Sequence, residues 1–174
     1  SYYFRGAVDN NWVQFGKDST GNDMYWRIIR INGDGSIRMI YTGTTSPTES
    51  TKVVMTGKGT YISIGEFNDN ISDSGSIYVG YMYTDGEYFK SSKIKAKIDN
   101  WYKTTTLETD AATKTLVADQ IFCNDRSPSS TQTDAWTSAG AAYYYGAYGR
   151  LTQTTKSPIL TCSTASDKFT VNTC

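Results

Sequence analysis

Between two apolar runs lies Asn32-Gly33-Asp34-Gly35. Asn and Gly take up positive φ at the least cost, and a tight hairpin needs that conformation. The flanking runs, Met24 to Ile31 and Ser36 to Thr42, read as the two strands of this hairpin. Asn11 to Gly16 reads as a further short strand, so residues 2–42 form a β-meander. Alternation places Trp26 and Ile28 on one face, with Arg27, Ile29 and Ile31 on the other. Ile37, Met39 and Tyr41 share a face of the partner strand. Arg27, Arg30 and Arg38 interrupt the apolar ribbon. They could form an anion-binding stripe; the plainer reading, which we prefer, is edge protection and pairing to carboxylates across strands.

Such a ribbon has to cover one face, and a helix is available to do so. Ser92 is a natural N-cap. Ile94, Ile98 and Trp101-Tyr102 then recur at helical spacing, with Lys93, Lys95, Lys97 and Lys103 off the stripe, where lysines are solvated. Three β-branched residues, Thr104 to Thr106, end the helix. Thr109-Asp110 caps a second short helix through about Leu116. The expected fold is therefore α+β: an antiparallel sheet with a hairpin at 32–35, packed against one main helix and joined by long polar loops. Trp12, Trp26, Ile28, Ile37, Met39, Ile94, Ile98 and Trp101 are the expected core, so Ile98→Asp should unfold the chain. The 174 residues are read as a single domain, 1–174.

The charge inventory narrows the function. Lys+Arg and Asp+Glu are both 17, and histidine is absent. An even balance with no like-charged run argues against nucleic acid as a partner. Without histidine there is no Ser-His-Asp or Cys-His mechanism and no His-ligated metal. Carboxylates such as Glu66, Asp85 and Glu87 lie in turn-like contexts with nothing to raise a pKa. Gly33 and Gly35 belong to a hairpin rather than a phosphate loop. The Asn/Asp/Ser spacing of residues 65–76 hints at calcium, but lacks the sixth-position Gly and the closing Glu; Asx-turns account for it. No enzyme, cofactor or metal is expected. No apolar stretch reaches about 18 residues, so no membrane span is expected either. The start at Ser1, without Met or a signal peptide, suggests processing or a fragment.

Two features remain. Trp136, Tyr143, Tyr144, Tyr145 and Tyr148 cluster in a Ser/Thr/Gly-rich region, where aromatic faces suit sugar rings or protein partners as well as half-buried strands. The three cysteines are Cys123, Cys162 and Cys174. In an oxidising compartment one disulfide is expected, either Cys162–Cys174 or Cys123–Cys162; the alternative is three free thiols. Fraying of the last residue favours Cys123–Cys162.

Several segments together resemble a known group. They are Tyr2 to Val8 with Asn10-Asn11, Trp26 to Arg38, Val79 to Tyr83 and Ile98 to Tyr102. Phe122 to Ser127, Tyr148 to Leu151, Pro158 to Cys162 and Asp167 to Val171 continue the series along nearly the whole chain. The set resembles uncharacterised extracellular modules of Gram-positive, often gut-dwelling, bacteria, some of which follow a type IV prepilin leader and its hydrophobic helix. The resemblance implies an extracellular, cell-surface location. It also supports Cys123 with Cys162, since both lie within shared motifs and Cys174 does not. Members of the group continue into a glycine-rich, aromatic C-terminal half, so this chain reads as a trimmed fragment or a short member. In a short member, a Cys162–Cys174 loop would resemble the closed C-terminal loop of type IV pilins. The expected function is a non-enzymatic surface module, a pilin-like subunit head or adhesin domain, self-assembling into a filament or attaching to a host or glycan ligand. The alternatives are a lectin-like glycan-binding domain using the aromatic cluster and, by fold-level analogy, an enzyme on a formylglycine-generating or C-type-lectin-like fold.

Overall fold

The computed structural model describes residues 1–4, 8–48, 62–63, 83–84, 87–91, 93–123, 161–162 and 168–169. In chain order the elements are β1 (Tyr2–Tyr3), β2 (Trp12–Lys17), β3 (Asp23–Ile31), β4 (Ile37–Gly43), β5 (Tyr83–Thr84) and β6 (Glu87–Ser91). There follow α1 (Lys93–Thr104), α2 (Thr106–Thr109), α3 (Ala111–Thr115), β7 (Phe122–Cys123) and β8 (Lys168–Phe169). The fold is mixed α+β, with a four-stranded antiparallel sheet and short helices. Contacts divide the chain into two compact units: Ser1–Ile64 with Lys97–Ala118, and Gly65–Ala96 with Asp119–Cys174.

In the first unit β3 is the spine of the sheet. β4 pairs with it from Tyr25 to Ile31. β2 pairs with Asp23 to Arg27 and β1 with Arg30 and Ile31, so these two strands follow one another along the opposite edge. Both hairpin loops use one backbone device. Asp18 N donates to Asn22 O at 2.9 Å and Gly21 N to Asp18 O at 3.1 Å. Asn32 N donates to Ser36 O at 2.8 Å and Gly35 N to Asn32 O at 3.1 Å. The fourth residue of each loop is a glycine at positive φ, 87° for Gly21 and 86° for Gly35. That is the three-residue loop in which a turn is followed by a left-handed residue. Of the two glycines in Asn32–Gly35, only Gly35 takes positive φ.

Three register shifts bend the sheet. One extra residue lies in β2 between Gln14 and Lys17, where Gly16 has φ 75°. Thr42 is extra in β4 and Ile29 in β3. Bulges of this kind increase twist and re-aim the strand. At Gly16 the result is close approach: a Cβ there would lie 2.9 Å from Met24 Cε, 3.0 Å from Leu107 Cδ2 and 3.2 Å from Thr106 Oγ1. Met24, fully buried, and Leu107, 3% exposed, are the core beneath the bulge. Buried Thr42 satisfies its hydroxyl by donating to Tyr25 O at 2.7 Å.

The end of α1 at Thr104 and the Asp110 cap of α3 fall where the sequence predicts. The short helix α2 between them is not among the expected elements, and Ser92 lies outside the described residues. After Thr104 the backbone N–H and hydroxyl of Thr105 both turn back to Tyr102 O, at 3.1 and 2.8 Å. Asp110 caps α3 by accepting from Thr113 N at 2.8 Å. What the periodicity misplaces is the packing surface. Trp12, Trp26, Ile28, Met39, Ile94 and Trp101 are half-buried, but Ile37 is 50% and Ile98 37% exposed. The sheet meets the end of α1 through Trp101, whose ring centre is 5.0 Å from Tyr41 and 6.4 Å from Trp26. Beyond that end it meets Leu107, a residue of no helical stripe. Ile98 is about one-third exposed, so a carboxylate there is only partly buried and Ile98→Asp should cost less than a fully buried charge would.

In the second unit β5 pairs with β6, Tyr83 facing Ser91 and Thr84 facing Glu87. β7 pairs with β8, Phe122 facing Phe169 and Cys123 facing Lys168. Cys123 and Cys162 form a disulfide with Cα atoms 5.1 Å apart, which is the pairing favoured from the sequence. Among the described residues no helix is long and apolar enough to cross a membrane.

Candidate functional site

Two places in the first unit present unusual surface chemistry. The first is the end of the sheet where β1, β3 and β4 lie side by side. Tyr2 faces Ile31, which faces Ile37, so one apolar row crosses three strands. Tyr2 is 78% exposed, and Tyr3, Phe4, Ile29 and Ile40 are exposed as well. Phe4 is tied on by donating its backbone N–H to Ile29 O at 3.2 Å. Tyr3, paired with Arg30, and Ile40, paired with Arg27, belong to the opposite face. Isolated exposed isoleucines need no explanation, but a cross-strand row that leaves Tyr2 and Ile37 in water together does. The next rung pairs Tyr3 with Arg30 and Arg30 with Arg38.

That rung divides the arginine stripe. Arg27 is a structural latch: it donates to Asn11 Oδ1 at 3.2 Å and to Val8 O, and lies 5.4 Å from the centre of the Trp12 ring. Asn11, itself buried, completes the latch by donating from Nδ2 to Ile28 O at 2.7 Å. Arg30 and Arg38 stand directly opposite one another, an arrangement in which like charges repel. Burial, and then Arg30, hold the Arg38 guanidinium below its usual value. Arg30 Nε donates to Asn32 Oδ1 at 2.7 Å. Two of the bonds made by Arg27 and one made by Arg30 thus go to amide and carbonyl oxygens.

The second place is an open cleft of about 380 Å³ between the β2–β3 hairpin and α2–α3, lined by Gln14, Lys17, Asp23, Thr106, Asp110 and Thr113. Apart from Gln14, its polar groups are engaged with one another. Thr106 Oγ1 accepts from Lys17 N at 2.7 Å, which joins the hairpin to α2 across 89 positions of sequence. Lys17 Nζ pairs with Asp23. Asp110 accepts from the hydroxyl and backbone N–H of Thr113, and these bonds hold its carboxyl below the usual range. A general acid needs the opposite shift. The cleft is a polar seam that joins hairpin to helix, and Asp110 in it is suited to capping.

The aromatic residues proposed from sequence as a ligand platform, Trp136, Tyr143, Tyr144, Tyr145 and Tyr148, lie outside the described residues, as do residues 65–76. The apolar row has no sequence signature of its own, because only register places Tyr2, Ile31 and Ile37 together. The one available signal was the aromatic run Tyr2-Tyr3-Phe4 at the head of a β-prone segment. Among the described residues no group of three or more Cys, Asp or Glu side chains is placed to hold a metal ion. No protein-family model, curated protein or solved structure matches this chain.

Proposed function

We propose that this protein is a non-enzymatic, extracellular surface module that works by attachment or assembly, as a pilin-like subunit head or an adhesin domain. The observation that carries the reading is the apolar row of Tyr2, Ile31 and Ile37, in which Tyr2 and Ile37 are exposed, with exposed Phe4 two positions on from Tyr2. Contiguous apolar surface of this kind on a soluble domain marks a place where another macromolecule binds. The Cys123–Cys162 disulfide supports an oxidising, extracellular setting. Balanced charge supports a partner recognised by apolar contact rather than by a strong field.

The test is the double variant Tyr2→Ser, Ile37→Ser. Both residues are exposed, so the fold should persist, as checked by thermal unfolding. Concentration-dependent self-association by sedimentation, and adhesion to immobilised host glycoproteins, are measured for both chains. The reading expects at least one of these in the parent chain, weakened about ten-fold or more in the variant, the size of one anchor residue's contribution. A parent chain inactive in both assays, or a variant that matches the parent, removes it.

A further inference from the structure

Asn32-Gly33 combines an amide side chain with a following glycine, whose nitrogen is unhindered by a Cβ. Such a nitrogen can attack the side-chain carbonyl carbon of the residue before it. Two features of the structure favour that reaction at this position.

Arg30 Nε lies 2.7 Å from Asn32 Oδ1. A guanidinium can only donate, so the atom facing it is the amide oxygen. The guanidinium therefore polarises the carbonyl and stabilises the negative charge that gathers on Oδ1 when Cγ is attacked, as a fixed cationic donor does in enzyme sites. On the other side of the amide, Nδ2 donates to Ser36 Oγ at 2.8 Å, and that hydroxyl donates to Asp34 Oδ1 at 2.7 Å. The amide plane is thus held at both ends, one on a cation and one on a hydroxyl. Second, Gly33 N makes no hydrogen bond within the described residues, so the attacking atom is not tied into the turn. Gly33 is exposed, which leaves it open to solvent base.

The neighbouring Asp34-Gly35 shows the contrast. There the glycine nitrogen is spent on Asn32 O at 3.1 Å, and the Asp34 carboxylate accepts from both the hydroxyl and the N–H of Ser36. An ionised carboxylate is also a poor electrophile.

We propose that Asn32 is a self-modification site, at which Gly33 N displaces the side-chain amide with assistance from Arg30. Solvent base removes the Gly33 amide proton, the N–Cγ bond forms, and the Cγ–Nδ2 bond breaks. Nδ2 leaves as ammonia after taking a proton from water, and a five-membered imide remains. Water then opens the imide at either carbonyl. Opening at Cγ–N leaves aspartate with the chain unchanged; opening at the main-chain carbonyl leaves isoaspartate, with one more carbon in the backbone. Either product puts a carboxylate beside Arg30 and, across the ladder, Arg38. Isoaspartate also breaks the spacing that lets Asn32 N reach Ser36 O while Gly35 N reaches Asn32 O. The inference stands apart from the proposed attachment role, although the site adjoins the apolar row.

The experiment is ageing of the folded chain at neutral pH over several weeks, followed by tryptic mapping of Ile31–Arg38. A gain of one mass unit in that peptide identifies reaction at Asn32, because isomerisation of Asp34 leaves mass unchanged. Gly33→Ala is the first variant. A Cβ there meets nothing within 4 Å and the position does not have positive φ, so the fold is retained. It should slow the mass gain about ten-fold by crowding the nucleophile. Arg30→Leu, confirmed folded by circular dichroism and read on the longer tryptic peptide Ile28–Arg38 that it yields, should slow it by about ten-fold as well, through loss of the oxyanion donor. An Asn32 that stays intact in the folded parent chain overturns the site. Modification in Arg30→Leu at the parent rate or faster overturns the assistance by Arg30.

Discussion

The two hairpins that share β3 have the same backbone loop and opposite surroundings. In the β2–β3 loop the first residue is Asp18, whose Oδ1 accepts from Thr20 N, Thr20 Oγ1 and Asn22 N at 2.8–2.9 Å. Its Oδ2 takes Asn22 Nδ2 at 3.1 Å. One anion gathers the donors of the loop. In the β3–β4 loop the first residue is a neutral amide held by Arg30, and the acid has moved to Asp34, which accepts from the Ser36 hydroxyl and N–H. The strands differ in the same sense. Beside the first loop, Gly16 bulges to admit Leu107 and Thr106, and Met24 is sealed. Beside the second, Ile37 stands half in water. Backbone geometry alone makes a hairpin, then; side chains decide whether it serves as foundation or as presented surface.

The comparison can be broken most severely from the helix side. Leu107→Ala removes the cover of the first hairpin and should cost about 2–5 kcal/mol, measured by denaturant unfolding. A loss below about 1 kcal/mol would show that α2 is not the foundation of that hairpin. Gly16→Ala comes next. Its φ of 75° and the contact with Met24 and Leu107 act together, and a cost of about 1–3 kcal/mol is expected.

Gly21→Ala and Gly35→Ala test the sameness of the loops. Neither Cβ meets an atom within 4 Å, so each substitution carries the left-handed penalty alone, about 1 kcal/mol in both. Costs that differ widely would deny the shared device.

Acid should separate the loops from the core. Burial raises the pKa of Asp18, but hydrogen bonds from Asn22 and Thr20 outweigh it and hold the carboxyl below its ordinary 3.8. The Ser36 hydroxyl and N–H lower Asp34 likewise. A carboxyl depressed by folding stabilises the native state above its unfolded pKa, and that contribution is lost as pH falls through the folded value. The melting temperature should therefore hold down to about pH 5 and fall below about pH 4, less steeply in the variant Asp18→Asn, Asp34→Asn. A variant that falls as steeply as the parent would place the acid sensitivity elsewhere. The smallest effect belongs to Ile37→Ser, expected within about 0.5 kcal/mol of the parent because the side chain is half exposed. A loss of several kcal/mol would return Ile37 to the core.

Legibility followed the range of the interaction that carries each feature. The β3–β4 hairpin could be read because Asn32, Gly33, Asp34 and Gly35 crowd their turn chemistry into four residues. The β2–β3 loop uses the same device with only Gly21 to announce it, and Asp18 looks like any surface acid until its four bonds are seen. The Asp110 cap and the end of α1 at Thr104 were legible for the same reason, being settled within one helical turn. Leu107 was not, since a four-residue helix carries no periodicity.

What the sequence by itself determined is the local grammar: the three-strand meander with its Asn32–Gly35 turn, the end of α1, the Asp110 cap, and the absence of histidine chemistry. These depend on φ preferences, caps and residue inventory, which act over a few positions. Only the tertiary structure decided which apolar residues are core and which are surface. That choice rests on the Gly16 bulge meeting Leu107 from some 90 residues away, and on a register that lines Tyr2 up with Ile31 and Ile37. Hydrophobicity has no direction of its own; the bulges and pairings of β3 supplied one, burying Met24 and leaving Ile37 in water.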